Sequence, residues 1–395
     1  MSDPLALRTR RQFLRDTVLG GALGWTAPSF LAGTFAALHA SAAGSATQTA
    51  TGKDAPILVV VQLAGGNDGL NTVIPIGNDD YYRARPKLGI RASKTLKLTD
   101  ETGLHPSLAG FKALADAGHL TVIQGAGYPN PNRSHFRSTE IWQTASDADR
   151  IEKHGWLGRY FDSACRGADP TVGVSVGNQA PQAFASERPT GVCLQQPENY
   201  RFMGGKGKAG EIVAEEQSYR DLNQLDAPEM QPAGHADSGA TIDSVGGAAA
   251  AHPSPLDFLE RTALDAQVSS DRILEVTQRV ATRGDYPSSP LGNAMRLVAR
   301  LVGGAMPTRV YYVSQGGYDT HTNQAGAHQR LLADLGDSIK AFVTDMKAQG
   351  NFSRVLVMTF SEFGRRVAEN ASGGTDHGAA APLFIVREQA QHPFV

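Results

Sequence analysis

Pro56-Ile57-Leu58-Val59-Val60-Val61-Gln62-Leu63-Ala64-Gly65-Gly66-Asn67-Asp68 is the stretch that decides the fold class of this 395-residue chain. An apolar run without alternation is what a central parallel strand needs, because helices cover both faces of a parallel sheet. Glycines let the backbone turn sharply where the run ends, so Asp68 is expected to project from the carboxyl edge of the first strand. The pattern recurs. Arg309-Val310-Tyr311-Tyr312-Val313 leads into Gly316-Gly317-Tyr318-Asp319-Thr320-His321, and Val355-Leu356-Val357-Met358-Thr359-Phe360 leads into Ser361-Glu362-Phe363-Gly364-Arg365. Gly373-Gly374-Thr375-Asp376-His377-Gly378 echoes the glycine, aspartate and histidine of Gly316 to His321. Strand, then glycines, then a carboxylate and an imidazole places ligands at the carboxyl edge of an α/β sheet, and a metal site is the expectation.

Further elements follow from periodicity. Strands are expected over 119–124 and 171–176, and helices over 107–117, from about 134, and over 156–161, 255–283, 291–301 and 329–342. The last carries Leu331, Leu332, Leu335, Ile339 and Phe342 on one apolar face, with His328 at its start. Between about 204 and 255 the chain is rich in Gly, Ala, Asp, Glu and Pro with little periodicity, which reads as an exposed insertion in a single domain over 55–395. With 41% hydrophobic and 19% charged residues the chain can bury a large α/β core, which excludes disorder throughout. A net charge of -2 without a basic stripe argues against a nucleic-acid partner.

Thr9-Arg10-Arg11-Gln12-Phe13-Leu14-Arg15 precedes a moderately apolar stretch and then Ala40-Ser41-Ala42, a small-x-small cleavage pattern. Residues 1–42 therefore read as a twin-arginine signal peptide, with the twin-arginine translocase as partner and the periplasm or exterior as destination. Gly20, Gly21, Gly24, Pro28 and Gly33 dilute its hydrophobicity, so no stable membrane span is expected after cleavage. This export route carries folded proteins, often with cofactor loaded. Cys165 and Cys193 fit one disulfide or two free thiols equally well.

The candidate chemistry lies on loops after strands. In Asn130-Pro131-Asn132-Arg133-Ser134-His135-Phe136-Arg137 the prolines keep the chain extended, so a helix begins near Ser134. There the free N–H groups and helix dipole lower the cost of an alkoxide, and Ser134 is a candidate nucleophile or a plain N-cap. Arg133 and Arg137 are candidate clamps for phosphate or sulfate oxygens, and His135 a ligand or a donor that holds a ligand in place. Glu362 suits a ligand, a general base or the partner of a ligating histidine, and Arg365 an oxyanion clamp or a surface salt bridge. Asp68, Asp319, His321, Asp376 and His377, with His328 as a further imidazole, make an Asp/His ligand set for zinc, manganese, magnesium or calcium. Two such ions close together, activating a nucleophile and holding the leaving oxygen, are the natural use of the set.

These motifs, in their order along nearly the whole mature chain, resemble the exported family called domain of unknown function 1501. That family is in turn similar to the alkaline phosphatase and sulfatase superfamily. The resemblance implies an alkaline-phosphatase-like α/β fold with a mostly parallel central sheet and helices on both faces. It implies a metal-dependent hydrolase acting on a small anionic ester through a Ser nucleophile. Asp68, Ser134, Asp376 and His377 would form one metal centre, and Asp319 with His321 the other. The alternative is a non-catalytic metal-binding protein, a binding or assembly factor on the same scaffold. Asp319-Thr320-His321 is more closely spaced than the superfamily pattern, which keeps His328 in play. A last downstream His is also expected, and the tail through His392 to Val395 reads as truncated.

Overall fold

The opening run forms β1 (Ile57–Leu63), and it lies inside a seven-stranded sheet. The structure, a computed structural model, describes residues 55–165, 169–187, 191–197 and 269–390. The twin-arginine segment, the insertion expected over 204–255 and His392 lie outside these residues. The remaining strands are β2 (Val73–Pro75), β3 (Leu96–Lys97), β4 (Thr102–Leu104), β5 (Leu120–Ala126), β6 (Gly173–Val176), β7 (Val192–Leu194), β8 (Val310–Gln315), β9 (Val355–Phe360) and β10 (Ala381–Val386). The helices include α1 (Gly69–Thr72), α2 (Asp79–Ala84), α3 (Ala109–Asp116), α4 (His135–Thr144), α5 (Trp156–Ala164), α6 (Pro290–Gly303) and α7 (Gln324–Ala348), and residues 269–279 are helical as well.

The large sheet runs β5-β10-β9-β1-β8-β6-β7, and β2, β4 and β3 form a small antiparallel sheet. β1 pairs in parallel with β8 and β9, and β6 in parallel with β7 and β8. β10 runs antiparallel to both β5 and β9, so it alone is reversed. Successive residues of β1 point to opposite layers, as the pleat requires. Ile57, Val59, Val61 and Leu63 join a core with Phe111 of α3, Val298 of α6 and Leu335 and Phe342 of α7. Val60 joins a second core with Leu157 and Phe161 of α5, against which Trp142 of α4 also packs. The chain is thus a mixed α/β protein whose mostly parallel sheet is covered by helices on both faces.

Two elements differ from expectation. α7 starts at Gln324, so His328 sits a full turn inside the helix rather than at its start, and it is buried. β10 has no counterpart in the sequence reading, because Ala381-Pro382 opens it with a residue that cannot donate to a ladder. A register shift between Ala381 and Leu383 accommodates that proline, after which Leu383 to Val386 pair with β5. Cys165 and Cys193 are both buried and are not joined in a disulfide.

α3 and α7 approach through their backbones: a Cβ built on Gly110 would lie 2.2 Å from the carbonyl oxygen of Gly336. The atom met is main chain and cannot swing away. Gly110→Val is therefore expected to cost about 3 kcal/mol, the upper part of the usual overpacking range. Gly77→Ala, whose Cβ meets nothing within 4 Å, is expected to leave stability nearly unchanged. Urea unfolding midpoints of the two variants check this.

Candidate metal centre

Because β5, β1, β8 and β9 run the same way, their following loops meet at one edge of the sheet. The reversal of β10 adds a fifth segment, since its amino end lies where its neighbours' carboxyl ends do. The chain entering β10 is 374–378, and an antiparallel bridge between Arg365 and His377 docks it against the loop after β9. Close packing at this edge excludes side chains at several positions. A Cβ on Gly65, whose φ is +120°, would lie 2.4 Å from the amide nitrogen of Asp319.

Four residues converge there. His321 Nε2 lies 2.9 Å from His377 Nε2 and 3.0 Å from Asp319 Oδ1, and His377 Nε2 lies 3.2 Å from the same carboxylate oxygen. His135 Nε2 lies 3.4 Å from Asp319 Oδ2. The rings of His135 and His377 also rest on Phe363, which is buried beneath them.

The other nitrogen of each ring fixes its protonation. His135 Nδ1 faces Glu362 Oε1 at 2.9 Å, His321 Nδ1 faces Asp376 Oδ1 at 3.1 Å, and His377 Nδ1 faces the Arg133 carbonyl oxygen at 2.8 Å. Carboxylate and carbonyl oxygens only accept, so each Nδ1 carries its hydrogen, and in that tautomer each ring turns a lone pair on Nε2 toward the others. Three nitrogen lone pairs and a carboxylate aimed at one point repel one another unless a cation lies among them. His135 Nε2 is buried without a hydrogen-bond partner among the described residues, as a ligand atom would be. The His135, Asp319 and His377 ligand atoms lie within 4.8 Å of one another. Imidazole nitrogens, each held by an acceptor, plus a carboxylate are a donor set that suits a divalent transition metal.

Arg365 shapes the electrostatics. Its guanidinium is fully buried and donates to Asp319 Oδ1 at 2.8 Å. Partial burial opposes ionisation of Asp319, but the Arg365 hydrogen bond and charge prevail and hold the carboxyl down at about 2. Asp376 is likewise held below its ordinary value, by hydrogen bonds from Asn370 and then His321.

Several expected site residues are placed elsewhere. Asp68 is buried and pairs with Arg85 at 2.6 Å, with Gln324 donating to the same oxygen. Burial opposes ionisation of Asp68, and the Arg85 charge and hydrogen bond outweigh it, so its carboxyl lies below the ordinary value. His328 Nε2 meets Asn67 Oδ1 at 3.0 Å and Thr72 Oγ1 at 3.4 Å, on the inner side of the same loop. Arg137 pairs with Glu140 at 2.8 Å and donates to the Ala148 carbonyl at 3.2 Å, so its guanidinium secures the following loop. Glu362 is buried and accepts from Gly65 N at 2.7 Å besides His135, so it orients an imidazole. Ser134 is the N-cap of α4, is exposed, and makes no side-chain capping bond. It sits between Arg133, whose carbonyl holds His377, and His135. Arg85 and Gln324 escaped the sequence reading altogether, since neither lies in a strand–glycine motif.

The model of the family described as "Protein of unknown function (DUF1501)" matches residues 55–386. No curated protein matches the chain. Solved structures that resemble it include the C-terminal periplasmic domain of EptC from Escherichia coli in complex with zinc, at 10% identity and a TM-score of 0.34, covering 87% of this chain and 76% of that one. A mutant of the alkaline phosphatase PafA is 14% identical at a TM-score of 0.32, covering 79% of this chain and 63% of that one. A protein in the alkaline phosphatase superfamily from Vibrio parahaemolyticus is 8% identical at a TM-score of 0.31, covering 92% and 69%. Overlaps this loose say nothing about chemistry, which rests on the side chains themselves. No helix among the described residues is long and apolar enough to cross a membrane.

The buried imidazoles beside the centre give a pH test. Burial pushes His328 and His105, whose rings lie 5.9 Å apart, down to about 4 from 6.5. The unfolded chain takes up these protons near 6.5 and the folded chain only near 4, so between those values the unfolded state binds more protons. Stability is then full above about 6.5 and falls as pH drops toward 4, by about 1.4 kcal/mol per pH unit for His328. Urea midpoints measured across this window are expected to fall less steeply in His328→Gln than in wild type.

Proposed function

Because the chain belongs to the DUF1501 family, whose description carries no activity, we propose its function from the centre itself. His135, His321, His377 and Asp319 hold a divalent metal ion, and the protein hydrolyses a small phosphate or sulfate ester with Ser134 as nucleophile. The observation that carries this reading is the common orientation of three imidazoles, each with Nδ1 on an acceptor and Nε2 toward Asp319. A bound divalent cation supplies positive charge beside the oxygens of the ester. Among the described residues one such ligand group occurs, so the proposal is for one centre rather than the two implied by resemblance.

The chain's own groups supply the rest. Ser134 Oγ lies at the start of α4, where first-turn N–H groups and the helix dipole stabilise negative charge on the attacking oxygen. Attack by Ser134 Oγ forms its bond to phosphorus or sulfur as the ester's P–O or S–O bond breaks, and the alcohol leaves with the proton that Ser134 gives up. Water then cleaves the ester on Ser134 to release phosphate or sulfate and restore the hydroxyl. The exposed Arg133 is suited to bind non-bridging oxygens with both arms of its guanidinium. Glu362 and Asp376 fix the rings of His135 and His321 and raise their basicity as ligands. The Arg10-Arg11 segment supports export to the periplasm or exterior by the twin-arginine route. A metal-binding protein without turnover is the second reading, favoured by one observation: Asp68, implied as a ligand near Ser134, pairs with Arg85 instead.

Elemental analysis of protein loaded with zinc or manganese, together with hydrolysis of aryl phosphates and sulfates, tests both. Wild type is expected to retain metal, Asp319→Asn and His135→Ala to lose it, and Glu362→Gln to bind it about 10–100-fold more weakly. Ser134→Ala is expected to keep the metal and lose turnover. Metal content near zero in wild type overturns the centre, and turnover unchanged in Ser134→Ala overturns the nucleophile. Metal retained with no turnover on any ester selects the second reading.

A further inference from the structure

A cavity of about 340 Å³ opens near the carboxyl ends of β1, β6 and β8, and none of the described side chains lining it is charged. Gln62, Gln143, Ser175, Asn178, Tyr312 and Ser314 supply its polar wall. Gln62, Gln143, Ser175 and Tyr312 are each more than nine-tenths buried, at 5%, 7%, 3% and 3% exposure, so the wall is part of the fold. The amide orientations follow from one fixed donor. The backbone N–H of Ala183 donates to Gln143 Oε1 at 3.3 Å, so Gln143 turns its Nε2 to Gln62 Oε1 at 3.0 Å. Tyr312 Oη donates to the same Gln62 oxygen at 2.6 Å. Gln62 Nε2 is thereby turned away from both, donates to no protein atom among the described residues, and is not sealed in protein, so it serves the cavity.

Neutral amides and hydroxyls that donate and accept match the hydroxyl groups of a saccharide. A purely apolar ligand would leave the Gln62 amide unpaired, at the cost of a desolvated donor. A second cavity of about 800 Å³ shares Val176, Gly177, Asn178 and Ser314 with the first, and it has the opposite electrostatic character. Arg296 and Arg300 of α6 line it, with no carboxylate among its described wall residues. Two guanidinium groups one helical turn apart, with no described carboxylate beside them in the wall, suit an anionic group.

We propose that these adjoining cavities bind a saccharide bearing an anionic group, its hydroxyls in the neutral cavity and its acid group at Arg296 and Arg300. Neither cavity is lined by His135, His321, His377 or Asp319, so the inference stands apart from the hydrolytic reading.

Titration calorimetry of the full chain tests it with four probes: a galacturonic acid oligomer, a sulfated galacto-oligosaccharide, a neutral galacto-oligosaccharide and inorganic sulfate. The expected result is binding of at least one acidic oligosaccharide, with the neutral one at least tenfold weaker. The two acidic probes separate a carboxylate from a sulfate preference. Arg300→Gln is expected to lower affinity for the acidic probe to that for the neutral one. Asn178→Ala and Ser314→Ala together are expected to weaken both about tenfold, and these residues contribute little to the core, so folding is retained. Metal content is expected to be unchanged in all these variants. No binding of either acidic oligosaccharide at millimolar concentration overturns the proposal. So does affinity that is unaltered in both sets of variants, or sulfate alone binding as tightly as the oligosaccharides.

Discussion

A single guanidinium, buried where four loops meet, organises the carboxyl edge of this sheet. Arg365 Nε donates to the Gly66 carbonyl at 2.7 Å, one terminal nitrogen to the Thr375 carbonyl at 2.8 Å, and the other to the Tyr318 carbonyl at 3.0 Å, to Gly65 and to Asp319. A cation withdrawn from water is tolerated only when its donors are matched. Here the acceptors come from the loops after β1 and β8 and from the segment before β10, so satisfying one side chain aligns three segments with the loop after β9. A lysine at this position, with three donors on a flexible stem, could not reach the same acceptors from one fixed plane.

The same local grammar, strand then glycines then aspartate, has two outcomes in this fold. After β1 it delivers Asp68 into a sealed pair with Arg85, whose other nitrogens bond the carbonyls of Val367 and Arg366 at 2.8 Å each. After β8 it delivers Asp319 to an edge that is half exposed and shared by three imidazoles. What separates them is the neighbour, not the motif. Asp68 is sealed between Arg85, which follows α2, and Gln324, which donate to the same oxygen, whereas Asp319 meets Arg365 but stays half exposed. One aspartate is structural, and the other keeps an oxygen facing the histidines.

Much of the frame was legible because it is local. The runs that became β1, β8 and β9 are apolar without alternation, and a parallel strand covered on both faces has no other way to look. The ligand-bearing character of Asp319, His321 and His377 was legible for the same reason: each follows glycines next to a strand. Partnerships across the chain were not legible. Glu362 and His135 are 227 residues apart in sequence and touch only because β5 and β9 flank the same strand, β10. Arg365 read equally well as a surface residue or a clamp, since its burial depends on carbonyls about 300 residues away. His328 was displaced from the site by an early helix start that periodicity at 329–342 did not reveal.

The position of β10 has a kinetic side. It is the last described strand in the chain, yet it fills an interior slot of the sheet, between β5 and β9. Until it is in place, those two strands each present an open row of unpaired backbone groups, a template for pairing with another chain. Its pairing with β9 is local, but its pairing with β5 joins segments about 260 residues apart, a contact whose loop closure slows assembly and prolongs that exposure. Because the segment leading into β10 also carries Asp376 and His377, capping those edges and completing the centre are one event. A molecule caught before it is both incomplete at the site and prone to aggregate, whereas a molecule past it is neither.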